Sequence, residues 1–198
     1  MRPALSIIAD LVEPASRVLD LGCGDGELLA HLKRAKGVNG YGLEIDKDMI
    51  TCCVTAGVNV IEQDLDQGLT NFPSDSFDLV VMSDTLQSVK RPDSMIDEML
   101  RIGRECVVTF PNFAHWRCRL QVAARGQMPI SKHLPHHWYD TPNIHLCTFA
   151  DFESLCATKR LNVINRVVFT SKYTNHPLVN LFPNLFGATA FYHLGRPR

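Results

Sequence analysis

The stretch VLDLGCGDGELL, residues 18–29, constrains this chain more than any other. A short apolar run ends in Asp20, Gly22, Gly24 and Gly26 follow at alternate positions, and a helical pattern opens at Glu27. Glycines placed there permit positive φ and let a ligand approach the backbone closely. The helix behind them offers unpaired N–H groups to negative or electron-rich ligand atoms. A dinucleotide-binding loop has the spacing G-x-G-x-x-G. Glu27 stands where its third glycine belongs, so that fingerprint fails. Taken alone, the loop leaves a purely structural turn as an open alternative.

The surroundings narrow the choice. Residues 17–21 read as a first strand, and 27–36 as a helix with Leu28, Leu29 and Leu32 on one face. Residues 40–45 form a second strand, after which Asp46 stands as the N-cap of a helix to about Ala56. Residues 58–62 and 77–82 are the third and fourth strands. Pro92 suits the first turn of a helix whose stripe is Met95, Ile96, Met99 and Leu100. Residues 105–110 make a fifth strand, ended by Pro111. These strands are short continuous apolar runs, as expected when helices cover both faces of a parallel sheet. Residues 126–146 are rich in Pro, His and aromatics and lack periodicity. Thr148 with Asp151 has the form of a capping box opening a helix through about Lys159, and 162–170 and 188–195 read as two closing strands. Without repeats, low-complexity tracts or a linker, residues 1–198 are expected to form a single domain.

Composition excludes more than it assigns. A net charge of −1 and a pI near 6.7 give no electrostatic footprint for nucleic acid. No apolar run approaches the ~20 residues of a membrane-spanning helix, and the N-terminal stretch does not read as a secretory signal. Seven cysteines, an odd number with no CxxC pair, fit buried free thiols in a reducing cytoplasm. A cytoplasmic protein with neither membrane nor nucleic-acid partner is expected.

The spacing D-x-G-x-G-x-G resembles motif I of S-adenosylmethionine-dependent methyltransferases. That resemblance implies a doubly wound α/β fold of the class I, Rossmann-like kind, with a seven-stranded mostly parallel sheet whose last strand is antiparallel. It also implies that Asp20 lies near the amino-acid end of the ligand, and that the loop of Gly22, Cys23, Gly24 and Gly26 packs against its methionine and ribose. Glu44 ends the second strand about 20 residues on, where an acid accepts both ribose hydroxyl protons, with Ile45 beside it. The resemblance makes Asp64 the partner of the adenine amino group, Leu65 a backbone contact, and Ser83 a contribution from the fourth strand's tip, residues 83–89, which faces the ligand in this fold. Each acid alone also reads as a solvated loop residue, but three on the tips of three successive strands point to one site. The expected ligand is S-adenosylmethionine or its demethylated product, S-adenosylhomocysteine.

A sulfonium is already an activated donor, so methyl transfer needs positioning, with a general base only when the acceptor carries a proton. A methyl acceptor site is not legible here. The stretch before the first strand is too short for the helical cap that often closes such sites. Asp84 reads equally as a base and as a turn former. Asn112 and His115 either reach the cleft or serve a helix whose Trp116, Leu120 and Ala123 or Ala124 pack inward. His133, His136, His137, His145 and Cys147 match none of the usual zinc spacings, so no metal is expected. Trp138 and Tyr139 suit a partner or acceptor loop, or packing over the sheet edge. Leu181, Phe182, Leu185 and Phe186 suit either an apolar patch for another protein or a cover for the core.

A more distinctive resemblance spans nearly the whole chain. QDLDQGL, DSFDLVVMSDTLQ, FPNFAHWRCRLQ and GQMPISKHLPHHWYDTPNIHLCTFADFE, together with the glycine loop, are similar to the methionine-biosynthesis MetW family. Ser88, Lys90 and the stretch 175–185 match no firm pattern of it. The resemblance implies an accessory role beside homoserine O-acyltransferase, an α/β-hydrolase-fold enzyme that acylates homoserine from succinyl- or acetyl-coenzyme A. It carries no assigned methyl acceptor, and the catalytic residues stay unknown. The alternative is an S-adenosylmethionine-dependent methyltransferase acting on a small molecule.

Overall fold

In a computed structural model, residues 3–131, 134–170 and 177–197 are described. The chain runs α1 (Pro3–Leu11), β1 (Arg17–Leu21), α2 (Glu27–Lys36), β2 (Asn39–Glu44), α3 (Lys47–Thr55), β3 (Asn59–Glu62) and β4 (Phe77–Ser83). It continues through α4 (Pro92–Ile102), β5 (Gly103–Pro111), α5 (Trp116–Arg125), α6 (Phe149–Thr158), β6 (Asn162–Phe169), α7 (Pro177–Leu181), α8 (Pro183–Phe186) and β7 (Thr189–Gly195). One seven-stranded sheet has the order β3-β2-β1-β4-β5-β7-β6. The first five strands pair in parallel, and β7 is antiparallel to both β5 and β6. This is the expected class I methyltransferase architecture, antiparallel last strand included.

Sequence explains which strands sit in the middle. β1, β4, β5 and β7 are near-continuous apolar runs and are buried on both faces, whereas β3 and most of β6 are exposed at the two edges. Two cores flank the sheet. One packs α1 and α2 onto it, with Leu5, Ile8, Leu28 and Leu32 against Val81, Val107 and Phe191. The other holds Met95, Ile96 and Met99 of α4 and Phe149 and Phe152 of α6. There Phe110 and Tyr192 stack with ring centroids 6.0 Å apart, and Phe152 lies 4.6 Å from Tyr192.

Cap chemistry sets the helix starts. Asp46 accepts from the N–H groups of Asp48 and Met49, and Thr148 and Asp151 form the expected reciprocal capping box. α1 has no counterpart in the sequence reading; its Ala4, Leu5, Ile8 and Ala9 are buried. One reading of the sequence is corrected. The stripe Trp116, Leu120, Ala123 and Ala124 does not pack inward: all four are exposed, and α5 buries only Cys118. Helical spacing of apolar residues establishes an amphipathic helix, not what covers its apolar side. Among the described residues no helix is long and apolar enough to cross a membrane.

Candidate functional site

In a doubly wound sheet, ligands collect beyond the carboxyl ends of the parallel strands. The glycine loop lies there. Gly22, Gly24 and Gly26 all have positive φ, at 71°, 57° and 78°. At Gly22 a Cβ would sit 2.6 Å from Thr85 Oγ1, so the loop meets the tip of β4 only because the residue is glycine. At Gly24 a Cβ would meet nothing within 4 Å, which leaves that stretch of backbone open to a ligand. Gly26 is the N-cap of α2, and its left-handed conformation turns the loop into the helix.

Backbone bonds hold the loop on β2. The N–H groups of Gly22 and Cys23 both donate to Leu43 O, at 2.8 and 3.1 Å. The Glu44 carboxylate is the second anchor. Its Oε2 accepts from Gly24 N at 2.8 Å, and its Oε1 from Ile45 N at 2.8 Å and Asp46 N at 3.0 Å. Below the loop, Cys23 Sγ and Cys53 Sγ are 3.8 Å apart, and Cys53 donates to Gly24 O at 3.1 Å. Burial, reinforced by Asp20, pushes the Cys23 thiol well above its ordinary range. That shift favours the neutral, weakly nucleophilic thiol.

A cleft of about 130 Å³ opens at these tips. Of the residues expected from sequence, Gly22, Glu44, Ile45, Asp64 and Leu65 line it together. Leu65 is buried and opens a short 3₁₀ turn that Asp64 caps by accepting from Asp66 N at 2.9 Å. Ile45 is 60% exposed beside them, an apolar side chain with a free face. Asp20, Cys23, Gly24, Gly26 and Ser83 are not in the lining: Asp20 is buried within β1, and the Ser83 hydroxyl is 3.1 Å from Thr109 Oγ1.

Leu43, Gln63, Asp66, Thr85, Ser88 and Val89 complete the walls; the last three lie on the 83–89 tip expected to face the ligand, though the sequence reading singled out none of the six. Asp66 accepts from Lys90 N at 2.8 Å and its carboxylate lies 3.5 Å from Lys90 Nζ, so the tips of β3 and β4 are tied together. The second acid of DLD was the available signal for that tie. The tip SDTLQSV is expected to face the ligand, but nothing local in it singles out Ser88 and Val89, because a distant segment helps to position them.

That segment is the stretch read as lacking periodicity. Ile144 N and His145 N both donate to Gln87 O, at 2.9 and 3.0 Å. His145 Nε2 is 3.2 Å from Lys90 O, and the Ser88 hydroxyl donates to Asn143 Oδ1 at 3.4 Å. Residues 143–145 thus strap the turn after β4. His137 stacks on Tyr139, and His136 and Trp138 are exposed, while His133 lies outside the described residues. Among the described residues no group of three or more His, Cys, Asp or Glu converges on one point.

The remaining open alternatives take structural roles. Asp84 has a φ of 56°, donates its N–H to Thr109 Oγ1 and accepts from that hydroxyl at 3.2 Å, as a turn former does. Asn112 is buried; its amide donates to Asn184 O and Gly187 O, and its carbonyl accepts from Ala114 N. His115 caps α5 by accepting from Arg117 N.

Comparison with known proteins gives a consistent result. Residues 2–194 match the family model described as methionine biosynthesis protein MetW. A curated relative, the bifunctional methionine biosynthesis protein MetXA/MetW of Rhodopirellula baltica, is 34% identical over 166 residues, covering 79% of this chain and 26% of its own. The ubiquinone/menaquinone biosynthesis C-methyltransferase UbiE of Vibrio vulnificus is 29% identical over 49% of this chain and 42% of its own. The chain thus spans between about a quarter and two fifths of these relatives' lengths. Among solved structures, an S-adenosylmethionine-dependent methyltransferase from Mesorhizobium loti superposes with a TM-score of 0.69 at 21% identity, covering 98% of this chain and 96% of its own.

Proposed function

The chain belongs to the methionine biosynthesis protein MetW family, and from that premise we propose that it is a cytoplasmic accessory subunit which binds S-adenosylmethionine or S-adenosylhomocysteine and supports homoserine O-acyltransferase through complex formation. The observation that carries the reading is the Rhodopirellula baltica relative, in which MetXA and MetW share one polypeptide. Fusion holds two proteins at high effective concentration, as suits partners that work in contact.

The cleft fits the nucleoside end of such a ligand. Glu44 Oε1 receives two backbone N–H groups and Oε2 one, which leaves acceptor capacity for ribose hydroxyls. Ile45 and the buried Leu65 offer apolar faces for adenine, with Asp64 at the rim for its amino group. In this role the ligand supplies no chemistry; it biases the complex by binding two of its states unequally. The experiment is homoserine acylation by the cognate acyltransferase with and without this chain, repeated with Glu44→Ala and with added S-adenosylhomocysteine. Acylation that needs both proteins is the expected result. Full activity of the acyltransferase alone overturns the reading.

A small-molecule methyltransferase is the second reading, favoured by the similarity to UbiE. It requires room for an acceptor beside the sulfonium, near Asp84, His115 and Tyr139. Asp84 and His115 are engaged in a turn and a cap, and Tyr139 is largely exposed. Transfer of a labelled methyl group to a pathway metabolite would favour this reading over the first.

A further inference from the structure

Resting on the accessory-subunit reading, we propose that the exposed apolar face of α5, the 126–146 segment and α7–α8 is where the acyltransferase docks, through an apolar patch rimmed by carboxylates. Large apolar side chains on all three elements are exposed. Trp116 is 41% exposed, Leu120 57%, Trp138 75%, Tyr139 69%, Leu181 67% and Phe182 53%. Scattered exposed apolar residues need no explanation, but large ones gathered on neighbouring elements mark interaction surfaces, and Trp and Tyr are the side chains enriched at their energetic centres.

The three elements are joined. Asn112, at the end of β5, holds α8 through Asn184 O and Gly187 O, and its Oδ1 accepts from Ala114 N in the turn that leads into α5. Gln121 of α5 donates to Met128 O, which ties the helix to the following segment. Phe113, Met128, Pro129, Trp138 and Leu146 line a small groove there, shaped to receive a protruding side chain.

Charge selects the occupant. Residues 1–105 hold 18 of the 21 acids and 10 of the 20 Lys and Arg, so the near-neutral total hides −8 in that part and +7 in the remainder. Between residues 106 and 147 the only acid is Asp140. Arg117, Arg119 and Arg125 are exposed on α5, and among the described residues no ion pair joins any of them to a carboxylate. Like charges opposed across an interface disfavour pairing of this face with itself, and carboxylates around a partner's apolar patch favour association. The Rhodopirellula baltica relative carries MetXA on the same polypeptide, which makes the acyltransferase the partner to which this face is assigned.

The position also couples the face to the cleft. Trp138, Tyr139 and Leu146 belong to the segment whose residues 143–145 strap Gln87, Ser88 and Lys90, and Ser88 and Val89 line the cleft. A partner seated on this segment therefore contacts the same stretch that positions Ser88 and Val89 at the cleft.

The test measures binding of the cognate acyltransferase to the wild-type chain, to Trp116→Glu and Phe182→Glu, and to Val54→Glu as a control on the far surface, where Val54 is 65% exposed. S-adenosylhomocysteine affinity and the circular dichroism spectrum verify that each variant is folded. The expected result is affinity reduced about 30-fold or more by each of the first two substitutions and unchanged by the third. Failure of the wild-type chain to bind the acyltransferase overturns the accessory-subunit reading itself. Wild-type binding that both variants retain overturns only the assignment of this face. The same face is also assigned otherwise if Trp116→Glu abolishes self-association, or binding to a 20-nucleotide RNA, while leaving acyltransferase binding intact.

Discussion

At the tips of β1, β2 and β3 the polar side chains are tied into backbone: Glu44 holds three N–H groups, Asp46 two and Asp64 one. Beyond the tip of β5 the pattern inverts. The polar groups of Asn112 and His115 are used to fix the chain, and the large apolar side chains of α5 face outward. Both regions lie beyond the carboxyl ends of the parallel strands of one sheet. The first has the economy of a preformed small-ligand site, where orientation of a few acceptors matters and apolar area is modest. The second carries apolar area that none of the described residues covers, in keeping with the docking surface proposed above.

The largest effects separate buried from exposed aromatics within the C-terminal half. Phe152 is 1% exposed and packs 4.9 Å from Phe110 and 4.6 Å from Tyr192. Phe152→Ala is expected to cost about 3–5 kcal/mol of stability, read by denaturant unfolding. Trp116→Ala, on the same half of the chain, is expected to cost under about 0.5 kcal/mol. A large loss for Trp116→Ala would show that α5 packs against the core after all and would erase the contrast between the two regions.

Next in size is the glycine loop. Gly22→Ala combines a φ of 71° with a Cβ 2.6 Å from Thr85 Oγ1, so strain and overpacking together cost about 2–4 kcal/mol. Gly24→Ala has the strain alone and is expected to cost about 1 kcal/mol. Its extra methyl group points into open space that a ligand is expected to use, so it should weaken S-adenosylhomocysteine binding out of proportion to its small effect on thermal stability. Calorimetry on both variants checks the pair.

Glu44→Ala probes the cleft without touching the far surface. Loss of charge-assisted bonds to ribose hydroxyls is expected to weaken S-adenosylhomocysteine binding about 10- to 100-fold. Glu44→Gln, which keeps an acceptor, should recover part of that loss. Unchanged affinity in both variants would place the ligand elsewhere.

The contrast between regions also explains what was legible in sequence. The strands, the glycine loop, the Asp46 cap and the Thr148–Asp151 box were readable because each depends on residues within a few positions of one another. Glu44 and Ile45 were placed at the cleft by their position at the end of the second strand about 20 residues beyond the loop, and Asp64 and Leu65 by the resemblance to the methyltransferase site. Thr85, Ser88 and Val89 were legible only as part of the 83–89 strand tip, not as individual wall residues. Their positions depend on Gly22 approaching β4 and on Ile144 and His145 donating to Gln87, contacts between segments far apart in the chain. α1 was missed because its apolar residues gave no cap and only two turns of pattern. For α5 the period was right and the environment wrong: the spacing of Trp116 and Leu120 describes an apolar stripe, and only the fold determines that the stripe is left outside.

The smallest expected effect concerns acid stability, which should be concentrated in the acid-rich half. Asp78, Asp93 and Glu98, whose carboxyls are held below their ordinary range, all lie before residue 106. Asp93 is the clearest case: the Arg91 guanidinium, bonded to both its oxygens at 3.1 and 3.0 Å, and then the Ser94 N–H hold its carboxyl at about 2. An unfolded Asp titrates near about 3.9, so the folded state binds this proton more weakly. The contribution is therefore fully present above about pH 4 and is lost as pH falls through about 2. Because the pair is solvent-exposed, the whole contribution is expected to stay under about 0.5 kcal/mol. Asp93→Asn should lower stability slightly at neutral pH and flatten the decline between pH 4 and 2, measured by urea unfolding across that range. Asp140→Asn, in the basic region, should leave the acid limb unchanged. An equal effect from both substitutions would mean that the charge division along the chain does not carry over into its stability.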